Sequence, residues 1–542
     1  MVERAPRTGM RVGALSGPTR WLVLGVFAAF AVLPIAAAVL AVHRGWEATG
    51  DSALIGLRSR DAWTSHAPLV GQPTTGDGLT GKPSNHPGPI EYWWLGITVR
   101  VLGAQLGMAV GAALVNGAAL VGIAWLAFRR GGPDLLALTA AALAGMVLTL
   151  GAVSLWTPFN SELATYPMLL AVFAAWCVTI GDLRVLPVLA ASATVAAQVH
   201  VAGAVFVAPL VLVTAVSLVL VGRRRPKALR RDAAYLLGAA AIVLVTWLPV
   251  LANELGSGPS NIGALWATAT VDRPRIGLVF MLERLLAAVA PTPAFLHRAP
   301  FLADPSALQV LVAAAIIGGA GSLALHLRRA FPRSSAPWLV ALVMLPMLTS
   351  TWMGSRQPPL SAFRPDAARW LWVVSLAVWV ALAWCAWWTA PDRISARTGK
   401  APLYVAAVIV ALAAIGSLAT FQLTDVRDGG LMPSVDELAD ATTAKLPKGT
   451  YHLQLEGDQA LLTIGPALAY RLEADGFHVR VDDNAFGRGF GSQRTERAPG
   501  APTIRVSSRD DATAAADEKV VATVPLDADD DGSGTITVFL RS

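Results

Sequence analysis

Long apolar runs are the feature of this sequence that most restricts its fold. They recur from Trp21 to about residue 423, and each is about 20 residues long, enough to cross the ~30 Å hydrocarbon core of a bilayer as a helix. A helix satisfies its own backbone hydrogen bonds where water is absent. Hydrophobic residues make up 54% of the 542-residue chain and charged residues only 15%, unlike soluble globular proteins. We therefore predict an α-helical polytopic membrane protein.

About eleven transmembrane helices are predicted. They cover residues 21–42, 105–128, 134–156, 165–181, 183–199, 201–221, 233–251, 306–327, 337–352, 369–389 and 402–423. The first run resembles a signal peptide at its Ala-rich end, but its length favours an uncleaved span. Cys177 and Cys385 both fall within spans, which argues against a disulfide framework and a thiolate metal site.

Clusters of basic residues predict the orientation. Alternating spans place residues 1–20 on the same side as the Arg and Lys clusters at 129–130, 184, 223–231, 328–333 and 393–400. The positive-inside rule makes this side cytoplasmic. Because the clusters lie between apolar runs, the net charge of +7 follows from topology, and no nucleic-acid partner is expected. The external connections are residues 43–104, 157–164, 252–305 and 353–368, with interfacial helices predicted over Ile90–Leu102 and Phe280–Val289.

A small α/β domain is predicted after the membrane region 21–424. Residues 425–542 are mixed polar, with short alternating segments and one helical pattern. Since eleven spans precede it, this domain should be extracytoplasmic. Asp527 to Gly534 resembles an EF-hand loop, but Val538 stands where that loop has Glu. A hairpin turn is the preferred interpretation of this stretch, and a Ca²⁺ site is the alternative.

Charged residues concentrate in the first external connection. Asp51 follows the first span by a short tether, which places a carboxylate at the membrane surface, where it can act as a base on a substrate from the bilayer. Its other interpretation is a helix N-cap or a solvated loop carboxylate. Arg58, Arg60, Lys82 and His86 share the same connection, so the acid has cations and an imidazole nearby in sequence.

The ordered set of motifs resembles the GT-C superfamily of integral-membrane glycosyltransferases, which use polyprenyl-phosphate sugar donors. The matching motifs are Gly50-Asp51, His86-Pro87-Gly88-Pro89, Thr157 to Glu162 and Gln198-Val199-His200, together with a C-terminal soluble domain. The resemblance covers roughly residues 20–425. Each motif is short, and their order is more specific than any one of them.

The resemblance implies roles for individual residues. Asp51 would be the general base, which takes the proton of an acceptor hydroxyl as that oxygen attacks the anomeric carbon with inversion. Candidate ligands of the donor phosphate are Arg58, Arg60, Lys82, His86, Arg356 and Arg364. Glu162 and His200 are candidates for acceptor or metal binding, with a helix-entry residue and a buried histidine as the respective alternatives. Ser52 follows Asp51, so a mechanism with two adjacent acids does not carry over.

The sequence thus predicts a glycosyltransferase of the cell membrane. The donor would be a polyprenyl-phosphate sugar, with arabinofuranose or mannose the most plausible, and the acceptor an envelope glycan, a glycolipid or a secreted protein. No cofactor is assigned, and a divalent cation is left open. The alternative is a multi-span transporter or lipid flippase with an accessory domain. A transporter should place ionisable residues near the bilayer midplane, whereas here polar residues gather in the external connections.

Overall fold

A computed structural model of the chain describes residues 12–15, 17–74, 80–224, 226–297, 304–332, 334–359, 368–389, 401–484, 486–496, 498–509, 511–526 and 534–541. Among the described residues, the membrane region contains fourteen α-helices of ten or more residues, besides two shorter ones at Val153–Trp156 and Pro226–Arg231. They are α1 (Pro18–His43), α2 (Gly50–Asp61), α3 (Ile90–Leu102), α4 (Ala104–Leu150), α5 (Asn160–Thr179), α6 (Leu186–Val199), α7 (Val201–Arg224), α8 (Ala233–Leu255), α9 (Asn261–Thr270), α10 (Leu278–Val289), α11 (Ala307–Ala330), α12 (Ala336–Ser355), α13 (Trp370–Thr389) and α14 (Ala401–Thr420).

Nine of these described helices are long and apolar enough to cross a membrane, and the Leu183–Val199 segment is a shorter apolar helix. Helix α4 has 47 residues, which at 1.5 Å per residue is over twice the hydrocarbon thickness. Its backbone turns at Gly132, where φ is 67° and ψ is −156°, directly before Pro133. Helix α4 is therefore two spans, and the described segments agree with the eleven predicted ones.

The two ends of the bundle differ in chemistry. At one end, Arg129 Nε and Arg130 Nη2 lie 2.7 Å and 3.0 Å from the Asp182 carboxylate, so the Gly132 turn and the α5–α6 turn meet. At the other end, the Trp156 ring contacts Trp46 at 5.1 Å and Phe421 at 6.0 Å between centroids. The ends of α1, α4 and α14 therefore lie together, as alternate threading of the spans requires.

The C-terminal domain combines one sheet with two longer helices. Its elements are α15 (Met432–Lys445), β1 (Thr450–Glu456), α16 (Gly465–Ala474), β2 (His478–Val481), β3 (Thr503–Ser507), β4 (Glu518–Leu526) and β5 (Gly534–Arg541). The strand order is β2-β1-β3-β5-β4. Strand β1 is parallel to β2 and β3, whereas β5 is antiparallel to β3 and β4. The predicted α/β domain is confirmed.

The β4–β5 pairing agrees with the hairpin interpretation of the acidic stretch that follows β4. The acidic residues of the alternative Ca²⁺ site, in 527–533, lie outside the described residues. Helix α3 begins and ends where the sequence predicted an interfacial helix, and α10 begins two residues earlier than predicted. Helices α2, α9 and α15 were not predicted.

The sidedness of the bundle can be tested by cysteine labelling of intact cells. Lys82, Arg223 and Arg509 are exposed, and the native Cys177 and Cys385 are buried. By the positive-inside rule, we expect a membrane-impermeant maleimide to label Lys82→Cys and Arg509→Cys directly, and Arg223→Cys only after permeabilisation. The opposite pattern would invert the orientation.

Candidate active-site cleft

A cleft of ≈ 540 Å³ opens at the Trp156 end of the bundle. One wall comes from the membrane helices and the turns beside them, and the other from the linker, residues 421–431, which joins α14 to the C-terminal domain. The lining residues are Trp46, Thr49, Asp51, Ser52, Val153, Thr157, Phe159, Glu162, Arg369 and 424–428. Acidic, basic and aromatic side chains are therefore combined at one end of the bundle.

Asp51 lies in the first turn of α2, and its side chain remains 45% exposed. Gln72 Nε2 donates a 3.0 Å hydrogen bond to Asp51 Oδ1, and Tyr92 Oη donates a 3.3 Å bond to Gln72 Oε1. Both supporting side chains are buried. One carboxylate oxygen is thus held from α3 through Gln72, while the carboxylate stays accessible to the cleft.

Glu162 and Arg369 form an ion pair on the cleft wall. Glu162 lies in the first turn of α5, and Arg369 directly precedes α13 and stacks over the Trp372 ring at 5.2 Å. Their side chains are only 6% and 16% exposed. Glu162, which the sequence predicted as a candidate for acceptor or metal binding, is therefore paired with Arg369, a cation from a distant part of the chain.

The linker adds two charged residues beside Asp51. Arg427 Nη1 lies 3.8 Å from Asp51 Oδ2. Burial raises the pKa of Asp428, Arg427 opposes this shift, and the Asp51 charge adds to it. Asp428 has a φ of 58°, a left-handed conformation that Asp tolerates better than most residues. Asp51 and Asp428 therefore lie near each other in the cleft lining, although they are far apart in sequence.

Arg58 and Arg60, predicted as phosphate ligands, contact other groups. Arg58 Nη1 lies 2.7 Å from Asp61 Oδ2, and Arg60 Nη2 donates to the Glu473 carbonyl oxygen at 2.9 Å. Arg58 is seven residues beyond Asp51, about 10 Å along the helix axis, and Arg60 is on the opposite helix face. Neither lines the cleft, because α2 carries them towards the C-terminal domain.

His86 and His200 lie together elsewhere. Their rings are 4.6 Å apart and inclined by 35°, and His86 Nδ1 accepts a 3.2 Å bond from the Val201 backbone N–H. Burial, with a smaller effect of His200, holds the pKa of His86 well below its usual range. His86 fastens the His86-Pro87-Gly88-Pro89 segment to the α6–α7 turn, and its lowered pKa disfavours the charged form.

The other predicted cations are more peripheral. Lys82 is exposed, and Arg356 packs over the Trp352 ring at 5.1 Å. Neither belongs to the cleft lining, and Arg364 lies outside the described residues. Within the described part of the chain, no group of three or more His, Cys, Asp or Glu side chains is placed to hold a metal ion.

Buried ion pairs fasten α2 to the C-terminal domain. Arg494 bridges Asp61, at the end of α2, and Glu473 of α16, with its closest contact to each at 2.9 Å and 2.6 Å. At the start of α2, Arg471 Nη1 lies 2.5 Å from Glu47 Oε1. Between these pairs the Tyr470 ring packs against Gly56, where a Cβ would lie 2.7 Å from the ring. The C-terminal domain therefore fixes the helix that bears Asp51.

Sequence analysis missed Gln72, Arg369, Arg427 and Asp428. Arg369 is the first residue of a predicted span, and Arg427 lies four residues beyond the end of another. A basic residue in such a position is ordinarily explained by lipid headgroups. Only their contacts with Glu162 and Asp51 in the folded chain distinguish them from ordinary headgroup-binding residues. Gln72 has no distinguishing sequence pattern.

Comparison with solved structures finds the same overall fold in ArnT from Cupriavidus metallidurans bound to undecaprenyl phosphate. The identity is 15%, the match covers 96% of this chain and 98% of that chain, and the TM-score is 0.51. The apo state of ArnT matches at 16% identity with the same coverage and a TM-score of 0.44. No protein-family profile matches the sequence, and comparison with curated proteins finds no match. The first likeness confirms the predicted fold, a polytopic helical membrane region followed by a small C-terminal α/β domain.

Arg494→Ala should loosen the contact between α2 and the C-terminal domain. It leaves Asp61 and Glu473 without their buried partner, although Arg58 still pairs with Asp61. Removing one partner from such a network costs about 3 kcal/mol. We expect a lower melting temperature and faster proteolysis near α2, with Arg509→Ala as the exposed control. Equal stability of the two variants would contradict the fastening role.

Glu47 should make stability depend on pH. Burial raises the pKa of Glu47 from 4.5 to about 7, although the Arg471 guanidinium opposes the shift. The folded state therefore binds the proton of Glu47 more tightly than the unfolded state does. The stability that this proton contributes is complete below pH 4.5 and is lost as pH rises through 7. We expect the melting temperature of Glu47→Gln to depend less on pH over this range than that of the exposed control Glu437→Gln. An unchanged profile would show that Glu47 is not the group responsible.

Proposed function

We propose that this protein is a membrane glycosyltransferase that transfers a sugar from a polyprenyl-phosphate donor to an acceptor hydroxyl. The observation that supports this most directly is the accessible Asp51 carboxylate in a charged cleft at the end of the membrane bundle. ArnT, which shares the fold, was solved with undecaprenyl phosphate bound, and this supports a donor lipid of the same class.

The position of the cleft suits substrates from two phases. A polyprenyl chain remains in the bilayer, so its phosphate and sugar can reach only sites at the membrane surface. Trp46 and Phe159 contribute apolar walls, while the linker forms the side towards the C-terminal domain. A lipid-linked sugar can enter from the membrane, and a polar acceptor can enter from water.

In the proposed reaction, Asp51 takes the proton of the acceptor hydroxyl. The acceptor oxygen attacks the anomeric carbon on the face opposite the lipid phosphate, and the bond between that carbon and the phosphate oxygen breaks. This displacement inverts the anomeric configuration. The hydrogen bond from Gln72 orients the Asp51 carboxylate, and a correctly placed base contributes ~10²- to 10⁴-fold to such a rate.

The leaving phosphate needs positive charge rather than a general acid. Of the cations predicted from the sequence, Lys82, Arg356 and Arg364 remain candidate donor ligands. Arg58 and Arg60 instead position α2 through their contacts with Asp61 and Glu473. We retain arabinofuranose or mannose as the proposed sugar, and an envelope glycan, a glycolipid or a secreted protein as the proposed acceptor. The reaction is proposed to take place on the external face of the cell membrane.

The transport alternative has less support. In the described spans, the ionisable residues lie near helix ends or at the Gly132 turn, whereas transporters place such groups or broken helices near the midplane. The charged groups of the cleft are instead at the bundle end. This distribution favours chemistry at the surface over passage through the bilayer.

Asp51→Asn tests the proposal, because it removes the base while keeping size and polarity. In purified protein with a short-chain polyprenyl-phosphate sugar, we expect transfer to fall by ~10²- to 10⁴-fold. The folded protein and its affinity for the donor should be retained. Asp483→Asn, an exposed carboxylate outside the cleft, is the matched control. Transfer by Asp51→Asn at the wild-type rate would rule out Asp51 as the base.

A further inference from the structure

The linker is a compact element rather than an extended connection. Two 3-10 turns, Leu423–Asp425 and Gly429–Leu431, flank Arg427 and Asp428. The Gly429 N–H donates to the Val426 carbonyl at 3.0 Å, and a Cβ on Gly429 would lie 1.9 Å from the Leu423 carbonyl oxygen. Only glycine fits this close approach. The backbone therefore holds Arg427 at the cleft in a defined position.

Arg427 touches the proposed base without being fully engaged by it. Its guanidinium is 3.8 Å from the Asp51 carboxylate, and the two side chains are 53% and 45% exposed. It also lies over the Phe159 ring at 5.3 Å. The separation exceeds the usual length of a charge-assisted hydrogen bond. The guanidinium has five N–H donors, and the long contact with Asp51 leaves it able to turn towards an anion in the cleft.

The charges around the cleft distinguish Arg427 from Arg369, the other arginine among the described lining residues. Arg369 is 16% exposed and paired with Glu162, so much of its charge is already balanced. Arg427 is over three times as exposed. Arg427 therefore presents a more accessible positive charge to an anion in the cleft than Arg369 does.

We infer that Arg427 is a further catalytic residue, which binds the phosphate of the lipid donor and stabilises it as the leaving group. The inference rests on the proposed glycosyl transfer. It places part of the active site in the linker between the two domains, in addition to the candidate cations of the external connections.

The charge balance of the reaction explains the need for this residue. The donor phosphodiester has one negative charge. When its bond to the anomeric carbon breaks, the electron pair stays on the phosphate oxygen, and the lipid phosphate leaves with two negative charges. The proton moves from the acceptor to Asp51. Arg427 gains a stronger partner as the reaction proceeds, which is the requirement for lowering a barrier rather than only binding substrate.

Binding of farnesyl phosphate and of farnesol to the purified full-length chain separates phosphate recognition from lipid recognition. We expect Arg427→Ala and Arg427→Gln to bind farnesyl phosphate at least tenfold more weakly, with farnesol unchanged. Arg427→Lys should recover part of the loss, because it keeps the charge but not the planar fork. Asp51→Asn should bind farnesyl phosphate as well as or better than wild type, because it removes the anion that competes for Arg427.

Arg509→Ala, an exposed arginine of the C-terminal domain, is the control for loss of one positive charge. Farnesyl phosphate affinity within twofold of wild type in both Arg427→Ala and Arg427→Gln would overturn the inference. If Arg427→Ala does not fold, the comparison between Lys and Gln decides. A wild-type chain that binds farnesyl phosphate no better than farnesol would instead overturn the proposed donor class, and this inference with it.

Kinetics with a polyprenyl-phosphate sugar provide a second measurement. Phosphate binding predicts that Arg427→Ala raises KM for the donor and lowers kcat. A purely structural role beside Asp51 predicts a lower kcat with unchanged KM and unchanged farnesyl phosphate affinity. That second pattern would remove Arg427 from the list of substrate contacts.

Discussion

Lipid offers the polypeptide backbone no hydrogen-bond partners, and the arrangement of this molecule depends on that constraint. Each segment within the hydrocarbon has to be helical, and the ionisable residues of the described spans are placed near helix ends. Chemistry that uses charge is thereby confined to the bundle ends. At one of them Asp51, Glu162 and Arg369 meet the linker. The proposed active site lies at this end because its charged groups would be far more costly at the bilayer midplane.

Ion pairs and packing at helix α2 hold the membrane region and the C-terminal domain together. Asp61 at the end of α2 pairs with Arg494 of the C-terminal domain, and Glu47, three residues before the helix start, pairs with Arg471. Gly56 in the middle of the helix packs against the Tyr470 ring. Buried ion pairs add little net stability compared with apolar packing. An orientation of α2 that broke them would leave a buried charge without a partner, which is costly. The bidentate contacts of Arg494 are of this kind. The ion pairs therefore act mainly by giving α2, and with it Asp51, one orientation.

The sequence predicts much of the fold because the membrane imposes a simple pattern. Apolar runs of spanning length located the helices, and alternating segments located the strands. Helix α2 has no comparable pattern, since its apolar residues face both the bundle and the C-terminal domain. Arg58 and Arg60 were predicted near a phosphate because they are close to Asp51 in sequence. The helical rise and rotation separate them from it, which a treatment of the segment as a loop does not show.

A motif order predicted Asp51 as a site residue, whereas Arg427 lies 376 residues away and contacts Asp51 only in the folded chain. That separation also has a consequence during biosynthesis. A ribosome makes α2 long before it makes the linker and α16. Until then the emerging chain contains Asp51 without Arg427, and α2 without the arginines that fix it. The protein thus acquires its proposed catalytic competence only once translation has passed the last span and the final domain has folded, so unfinished chains would not consume lipid-linked sugar.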